Sequence, residues 1–186
     1  VCAARSGDAA AATALLRVVW PAAYRIARSI VSDSAAAEDA AQEACARALC
    51  AIASLRRPDR FAPWFFRIVV NEAKQRLRST SREVPFEADS HARRDTGFDE
   101  AGISADRLDV RRAIDALDPA LRAAVVLRYY FGMSSMEIGA ILGTSPVTAR
   151  WRLMRAHQEL RELLEPGHGH AFRSPRRHAD ESQAAG

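Results

Sequence analysis

Long apolar runs are missing from this chain of 186 residues. No stretch approaches the roughly 20 apolar residues that a membrane-crossing helix needs, and no secretory signal pattern is visible. A cytoplasmic location is the expectation. Cysteine is scarce: Cys2, Cys45 and Cys50 are the whole complement. Their spacing fits neither a zinc site nor a disulfide framework, and Cys45 and Cys50 read as small side chains buried in a helical region. A phosphate-cradling glycine loop, metal-ligand spacing and a carboxylate–histidine constellation are also missing. No catalytic, metal-binding or cofactor-binding residue is therefore nominated, and a non-enzymatic role is expected. His168, His170 and His178 near the end of the chain read as composition, not as ligands.

Hydrophobic residues make up 48% of the chain, enough for real cores, and the formal net charge is a mild +4. The distribution of charge says more than its sum. Residues 1–78 carry 12 basic and 7 acidic side chains; residues 79–106 carry 3 and 7; residues 107–164 carry 9 and 6. The last 22 residues are neutral. A net charge that small argues only weakly for nucleic acid, but its distribution shows two basic blocks joined by an acidic connector.

The clearest local signal is in the second block. Asp118-Pro119 is a helix start, a side-chain cap followed by a residue suited to the first turn. Leu121, Val125 and Tyr129 then recur at helical spacing as far as Gly132. Ser134 with Glu137 three residues on is a capping box for a short helix to Leu142. Gly143 makes a tight turn, Ser145 caps, Pro146 opens, and a long helix follows to about Leu164. Its inner stripe is Ala149, Leu153, Ala156, Leu160 and Leu163, which leaves Thr148, Arg150, Trp151, Arg152 and Arg155 facing outward. Short helix, glycine turn and long capped helix are the layout of a helix-turn-helix, whose second helix enters the major groove. An ordinary helical hairpin with a solvated basic face would give the same local text.

The first block also reads as helical. From Thr13, Leu15, Leu16, Val19, Ala23, Ile26, Ala27 and Ile30 form a broad apolar face around Pro21. Asp33 or Ser34 can cap a second helix to about Leu55, with Ala41, Cys45, Ala48, Leu49 and Ile52 inward. Glu38, Asp39, Gln42 and Glu43 lie outside that face; favourable placement near a helix start would account for acids there. A loop, 56–62, leads to a helix from about Pro63. In it Phe66, Val69, Val70, Ala73 and Leu77 follow the core spacing, while Arg67, Asn71, Lys74 and Arg78 make a basic-and-amide stripe. Such a stripe backed by an apolar one, with Trp64 and Phe65 near its start, suits a helix lying on phosphates. A solvated face over core aromatics would look similar. Residues 79–106, with Pro85, Gly97 and Gly102, read as a flexible linker long enough to hold the blocks well apart, and residues 165–186 as a disordered tail. The expected fold is all-α: a helical domain over 13–78, the linker, and a helix-turn-helix domain over 107–164.

With both blocks read, the chain resembles a bacterial RNA polymerase sigma factor of the sigma-70 family, in the extracytoplasmic-function group. AEDAAQEACARAL at 37–49 is similar to the segment that docks on the largest polymerase subunit. The resemblance implies that Asp39, Gln42 and Glu43 bind core RNA polymerase, although Cys45 and Leu49 replace the family's bulky aromatics. FAPWFFRIVVNEAKQRLR at 61–78 is similar to the helix that melts and holds the non-template strand of the minus-10 element. It implies that Trp64, Arg67, Asn71, Lys74 and Arg78 meet that strand, and that Arg57, Arg60 and Phe61 form one wall of a flipped-base pocket. LRYYFGMSSMEIGAILGTSPVTARWRLMRAHQEL is similar to the minus-35 reader, with Thr148, Arg152, Leu153, Arg155 and Ala156 coinciding. Val147, Trp151 and His157 depart from the usual text, which bears on promoter choice.

The implied partners are core RNA polymerase, promoter DNA as minus-35 duplex and minus-10 single strand, and, as in many family members, an anti-sigma factor; no cofactor is implied. A helix-turn-helix regulator acting without polymerase is the rival. It explains the second block and leaves Asp39, Gln42, Glu43 and the 61–78 helix without a task.

Overall fold

The computed structural model describes residues 1–83 and 105–164. The tail expectation and most of the linker expectation lie outside those residues. Among the described residues every regular element is helical: α1 (Cys2–Arg5), α2 (Ala9–Ile30), α3 (Ser34–Ala51), α4 (Phe61–Glu83), α5 (Ala105–Ala116), α6 (Pro119–Val125), α7 (Ser135–Leu142) and α8 (Pro146–Leu164), with short 3-10 turns around 52–54 and 58–60.

The helix starts are chemical. Asp8 caps α2 by accepting from the Ala11 N–H (3.0 Å), and Asp33 caps α3 by accepting from Ala36 (2.7 Å). Helix α2 begins before Thr13 and carries Pro21 within it. Helix α4 runs to Glu83, past the expected linker start at 79. Ser79–Glu83 contains no proline or glycine to break the helix.

Helices α2, α3 and α4 pack on one another. The inner face of α3 is almost pure alanine: Ala37, Ala40, Ala41, Ala44 and Ala48 are buried. With no side-chain bulk there, α2 and α4 approach closely, and Ile26, Phe65, Val69 and Val70 fill the centre. Phe65, expected beside Trp64 at the helix start, is instead among the largest fully buried side chains, and Leu77 is outside the core. Cys45 is buried, and burial pushes its thiol pKa up. Cys50 is exposed, contrary to expectation, because it falls on the outer side near the end of α3.

In the second unit α6 passes at Val126 into one π-helical turn, Val126–Tyr130. The extra residue advances the register. Leu127 is fully buried, while Tyr129, which continues the helical spacing of the buried Leu121 and Val125, is 62% exposed. The capping box forms as the sequence requires: the Glu137 N–H donates to Ser134 Oγ (3.3 Å) and the Ser134 N–H donates to Glu137 Oε2 (3.0 Å). Gly143 ends α7 at φ 71°, a left-handed conformation that favours glycine. The Thr148 N–H donates to Ser145 Oγ (3.0 Å) at the start of α8.

The two blocks do not sit apart. Ala123, Ala124, Leu127, Ile138, Ile141 and Leu142 join the buried cluster of α2–α4, so one apolar core runs through both. Helix α6 lies on α2 and α7 on α4. Phe66 and Phe131 meet with ring centroids 4.7 Å apart, and the Arg25 guanidinium lies 3.6 Å from the centre of the Tyr130 ring. The reason is apolar area: the faces that α6 turns to α2 and α7 turns to α4 are largely apolar and leave water together. A smaller cluster, Leu117, Leu121, Val125 and Ala156, ties α6 to α8.

Gly139 sits where α7 crosses the start of α8. A Cβ there would lie 2.8 Å from the Thr144 carbonyl oxygen and 3.1 Å from the Pro146 nitrogen, both backbone atoms that cannot swing away. Gly139→Ala is expected to destabilise the fold by about 1–3 kcal/mol through this overpacking. Equilibrium unfolding in urea measures it, and an unchanged midpoint would contradict the close approach.

Candidate polymerase and nucleic-acid interface

Helix α3 turns its alanines inward, and the half-turn offset puts Asp39, Gln42 and Glu43 outward; all three are exposed. No acidic residue lies in the first turn of α3. Asp39 and Glu43 therefore stand beyond the reach of the helix-end dipole, which fades within one turn. Their local partners are basic. Asp39 Oδ2 meets Arg76 Nη1 of α4 at 3.2 Å, and Glu43 Oε1 meets Arg47 Nε at 2.8 Å. Arg47 also reaches the buried Glu72 at 3.2 Å. Gln42 leans on Glu38 at 3.5 Å. These exposed pairs are worth little in water, so a partner can exchange them cheaply. Sequence reading missed Arg47, Glu72 and Arg76 as the frame of this face, because ion pairs between helices have no local spacing.

Along α4, Arg67, Asn71 and Arg78 are exposed in one band, and Phe61 and Trp64 are half-buried at its start. Phe61 stacks on Phe65 with centroids 5.6 Å apart and tilts against Trp64 at 5.8 Å. Before it, Arg57 pairs with Asp59 at 2.7 Å. Arg60 reaches across to Glu137 of α7 at 3.6 Å. Lys74 does not share the solvent with its stripe-mates: its Nζ donates to the Leu142 carbonyl oxygen at 2.6 Å, at the end of α7. Burial, then Arg152 and Arg78, push its pKa down.

On α8, Arg150, Trp151 and Arg155 are exposed, Trp151 at 55%, and Thr148 and Arg152 are half-buried. Arg155 is steadied by Glu159 at 2.9 Å. Thr148 Oγ1 shares a hydrogen bond with Ser145 Oγ at 2.9 Å, so its hydroxyl serves the cap. The structure thus gathers Lys74, Arg78 and Arg152 at one seam, and leaves Arg67 and Asn71 on α4 outside it.

Next to the reading face, the π turn and α8 enclose a surface cleft of about 530 Å³ that includes Arg128, Arg150, Met154, His157 and Arg161. The Tyr129 hydroxyl is hydrogen-bonded to His157 Nε2 at its edge. Sequence reading missed the cleft because it depends on the π turn, which swings Tyr129 and Arg128 outward.

Two adjacent families match the chain: Sigma-70 region 2 over residues 15–83 and Sigma-70, region 4 over residues 107–160. The chain is 32% identical over 149 residues to the RNA polymerase sigma-H factor of Pseudomonas aeruginosa, covering 73% of this chain and 77% of that protein. It is 36% identical over 141 residues to the RNA polymerase sigma factor CarQ of Myxococcus xanthus, covering 73% and 78%. Against the ECF RNA polymerase sigma-E factor of Escherichia coli the identity is 32% over 141 residues, covering 69% and 73%. The chain belongs to the extracytoplasmic-function group of the sigma-70 family. Among solved structures it is similar to the sigma factor RpoE of Bartonella quintana, determined in complex with the anti-sigma factor NepR. The TM-score is 0.67 at 28% identity, over 82% of this chain and 95% of that one. CnrH, determined with the cytosolic domain of CnrY, gives 0.61 at 28% identity, over 88% and 93%. In this sigma factor the region 2 match begins within α2 and runs to the end of α4, and the region 4 match covers α5 to α7 and most of α8.

Glu137 links the sigma factor's two halves and carries a pH signature. The Ser134 N–H, then the Ser134 hydroxyl, then Arg60 hold its carboxyl below the ordinary value of 4.5. A depressed folded-state pKa adds stability that is present above the unfolded value and fades as pH falls through the folded one. Stability is expected to decline on acidification below about pH 4.5, and Glu137→Gln to flatten that decline. Urea midpoints between pH 3 and 6 measure it; identical slopes for both proteins would refute the assignment.

Proposed function

We propose that this sigma factor docks on core RNA polymerase through the Asp39–Gln42–Glu43 face and reads a promoter with two helices. In this reading residues 13–78 form the polymerase- and minus-10-binding domain, 79–106 the linker and 107–164 the minus-35-binding domain. Arg67, Asn71, Lys74 and Arg78 of α4 hold the non-template strand of the minus-10 element. Trp64 meets the same strand, and Arg57, Arg60 and Phe61 form one wall of the pocket for an unpaired base. Thr148, Arg150, Trp151, Arg152 and Arg155 of α8 face the minus-35 duplex. Phosphate contacts by arginine and lysine give register and a salt-dependent affinity; base-edge contacts give promoter choice. Strand opening is driven by trapping an extruded base, whose unstacking cost the pocket offsets.

The observation that carries this reading is the outward acidic patch on α3. It lies beyond the first turn, where helix-end electrostatics do not explain it, and a regulator acting on DNA alone has no use for it. The protein is not itself an enzyme in this reading, since phosphodiester synthesis belongs to the polymerase. Its place is the cytoplasm, with the polymerase; no helix among the described residues is long and apolar enough to cross a membrane. The sigma factor RpoE of Bartonella quintana was determined in complex with an anti-sigma factor. That supports an anti-sigma factor as a further partner.

Run-off transcription with core polymerase on a pool of promoters of varied minus-10 sequence tests the reading. A discrete transcript that depends on this protein is expected. The double variant Asp39→Ala, Glu43→Ala is expected to reduce it at least tenfold while thermal unfolding stays within a few degrees, since both ion pairs it removes are exposed. Tight binding to duplex DNA with no transcript would turn the reading toward an independent regulator.

A further inference from the structure

The outermost ridge of α8 is apolar. Val147, Trp151 and Met154 are 65%, 55% and 62% exposed. Steps of four and three residues set them on one line along the helix, opposite the fully buried Ala149 and Ala156. That line is where a solvated helix carries its charge. Single exposed apolar side chains are ordinary on any surface, but three in a row on one ridge mark a contact site. Val147 and Trp151 are also positions at which the chain departs from its family's usual text, so the ridge does not follow from the family pattern.

Cations flank the ridge on both sides. Arg150 and Arg161 stand along one side, at the cleft that Met154 also lines. Arg155, steadied by Glu159, stands along the other with the half-buried Arg152 behind it. The ridge ends at Gln158, which is hydrogen-bonded to Glu162 at 3.3 Å; acids from there on would repel phosphate. An apolar strip between arginines is complementary to a major groove, where base edges lie between two phosphate strands. It does not suit a second copy of the chain, which would set like arginines against one another. Three side chains are also far too few for a stable protein interface of about 1,600 Å².

The chemistry of the strip narrows what it reads. Valine and methionine offer no hydrogen-bond donor, and tryptophan offers one. Laid over guanine or over the amino group of cytosine, they would strip water from polar groups and leave them unpaired. The C5-methyl of thymine is the apolar group on the major-groove edge. Seven residues of helix rise about 10 Å, which spans about three base pairs at about 3.4 Å each.

We propose that the Val147–Trp151–Met154 ridge is a methyl reader, which selects pyrimidines carrying a C5-methyl over about three adjacent base pairs of the minus-35 duplex. Thymine supplies that methyl on either strand, and 5-methylcytosine supplies it where thymine is absent. The inference rests on the reading of α8 as the minus-35 helix and adds the chemical group it selects. The flanking arginines give register on the phosphates, and the ridge gives the choice of base.

Deoxyuridine differs from thymine by the C5-methyl alone, so it isolates the contact. Core polymerase loaded with the full-length protein first selects a promoter from a duplex pool randomised over the minus-35 region. Each thymine of the selected element, on either strand, is then replaced by deoxyuridine, and the holoenzyme's Kd is measured by fluorescence anisotropy. Affinity is expected to fall about fourfold per methyl at neighbouring positions. Cytosine at the most sensitive position should weaken binding, and 5-methylcytosine there should recover about fourfold; no recovery would overturn the claim for 5-methylcytosine. Val147→Ser, Trp151→Ser and Met154→Ser change exposed side chains and leave the core intact. Each is expected to bind thymine and deoxyuridine equally at one of these positions and to keep the preference at the others. Indifference to deoxyuridine throughout the element, or a penalty that all three variants retain, overturns the methyl reader, as does a transcript formed with no minus-35 preference. In each of those cases run-off transcription still succeeds and the sigma reading stands. If no promoter is selected and no transcript forms, the sigma reading falls and takes the inference with it.

Discussion

Removal of one face of α4 from water is the contact on which everything else in this protein depends. Phe65, Phe66, Val69, Val70 and Ala73 are buried along it. They pack on α2 and α3 within the first unit and on α7 of the second. Because a helix has only one circumference, committing that face to the core fixes the opposite face as solvent-directed, and Arg67 and Asn71 are carried there. Lys74 lies on the boundary between the two faces, close enough to the second unit to be captured by it. A single amphipathic helix thus makes the core, presents the charge and sets the distance between the two halves of the molecule.

The contrast between the α3 surface and the seam explains how the same chain could serve several partners. Asp39 and Glu43 pair with arginines at the exposed surface, where ion pairs contribute little and rearrange readily. The seam is different. There an ammonium is partly desolvated among like charges and held by a helix end, an arrangement tolerable only while the apolar contacts around it persist. Apolar area keeps the halves together and charge presses them apart. Under the proposed function promoter DNA would meet α4 and α8 in one event.

Much of this was legible residue by residue. Capping signals are local chemistry, so Asp33, Asp118, the Ser134–Glu137 box, Gly143 and Ser145-Pro146 located helix ends to within a residue or two. Periodicity sorted Val69, Val70 and Ala73 from Arg67 and Asn71 with the same reliability. Errors came where a local rule met a nonlocal cause. Tyr129 keeps the spacing of Leu121 and Val125 but not their burial, because regular spacing cannot anticipate one π turn, and Leu77 keeps the core spacing outside the core, because spacing does not reveal where neighbouring helices stop.

By itself the sequence determined the helices, their inward and outward faces, the helix-turn-helix and the family, since each follows from spacing, caps and ordered motifs within a short span. Only the tertiary structure decided that the two units share one core, that Arg76 and Arg47 frame the acidic face, and that Lys74 serves the end of α7. Lys74 and Leu142 alone are 68 positions apart, and no local pattern encodes such a pairing. It is set by which apolar surfaces fit together once all the helices exist.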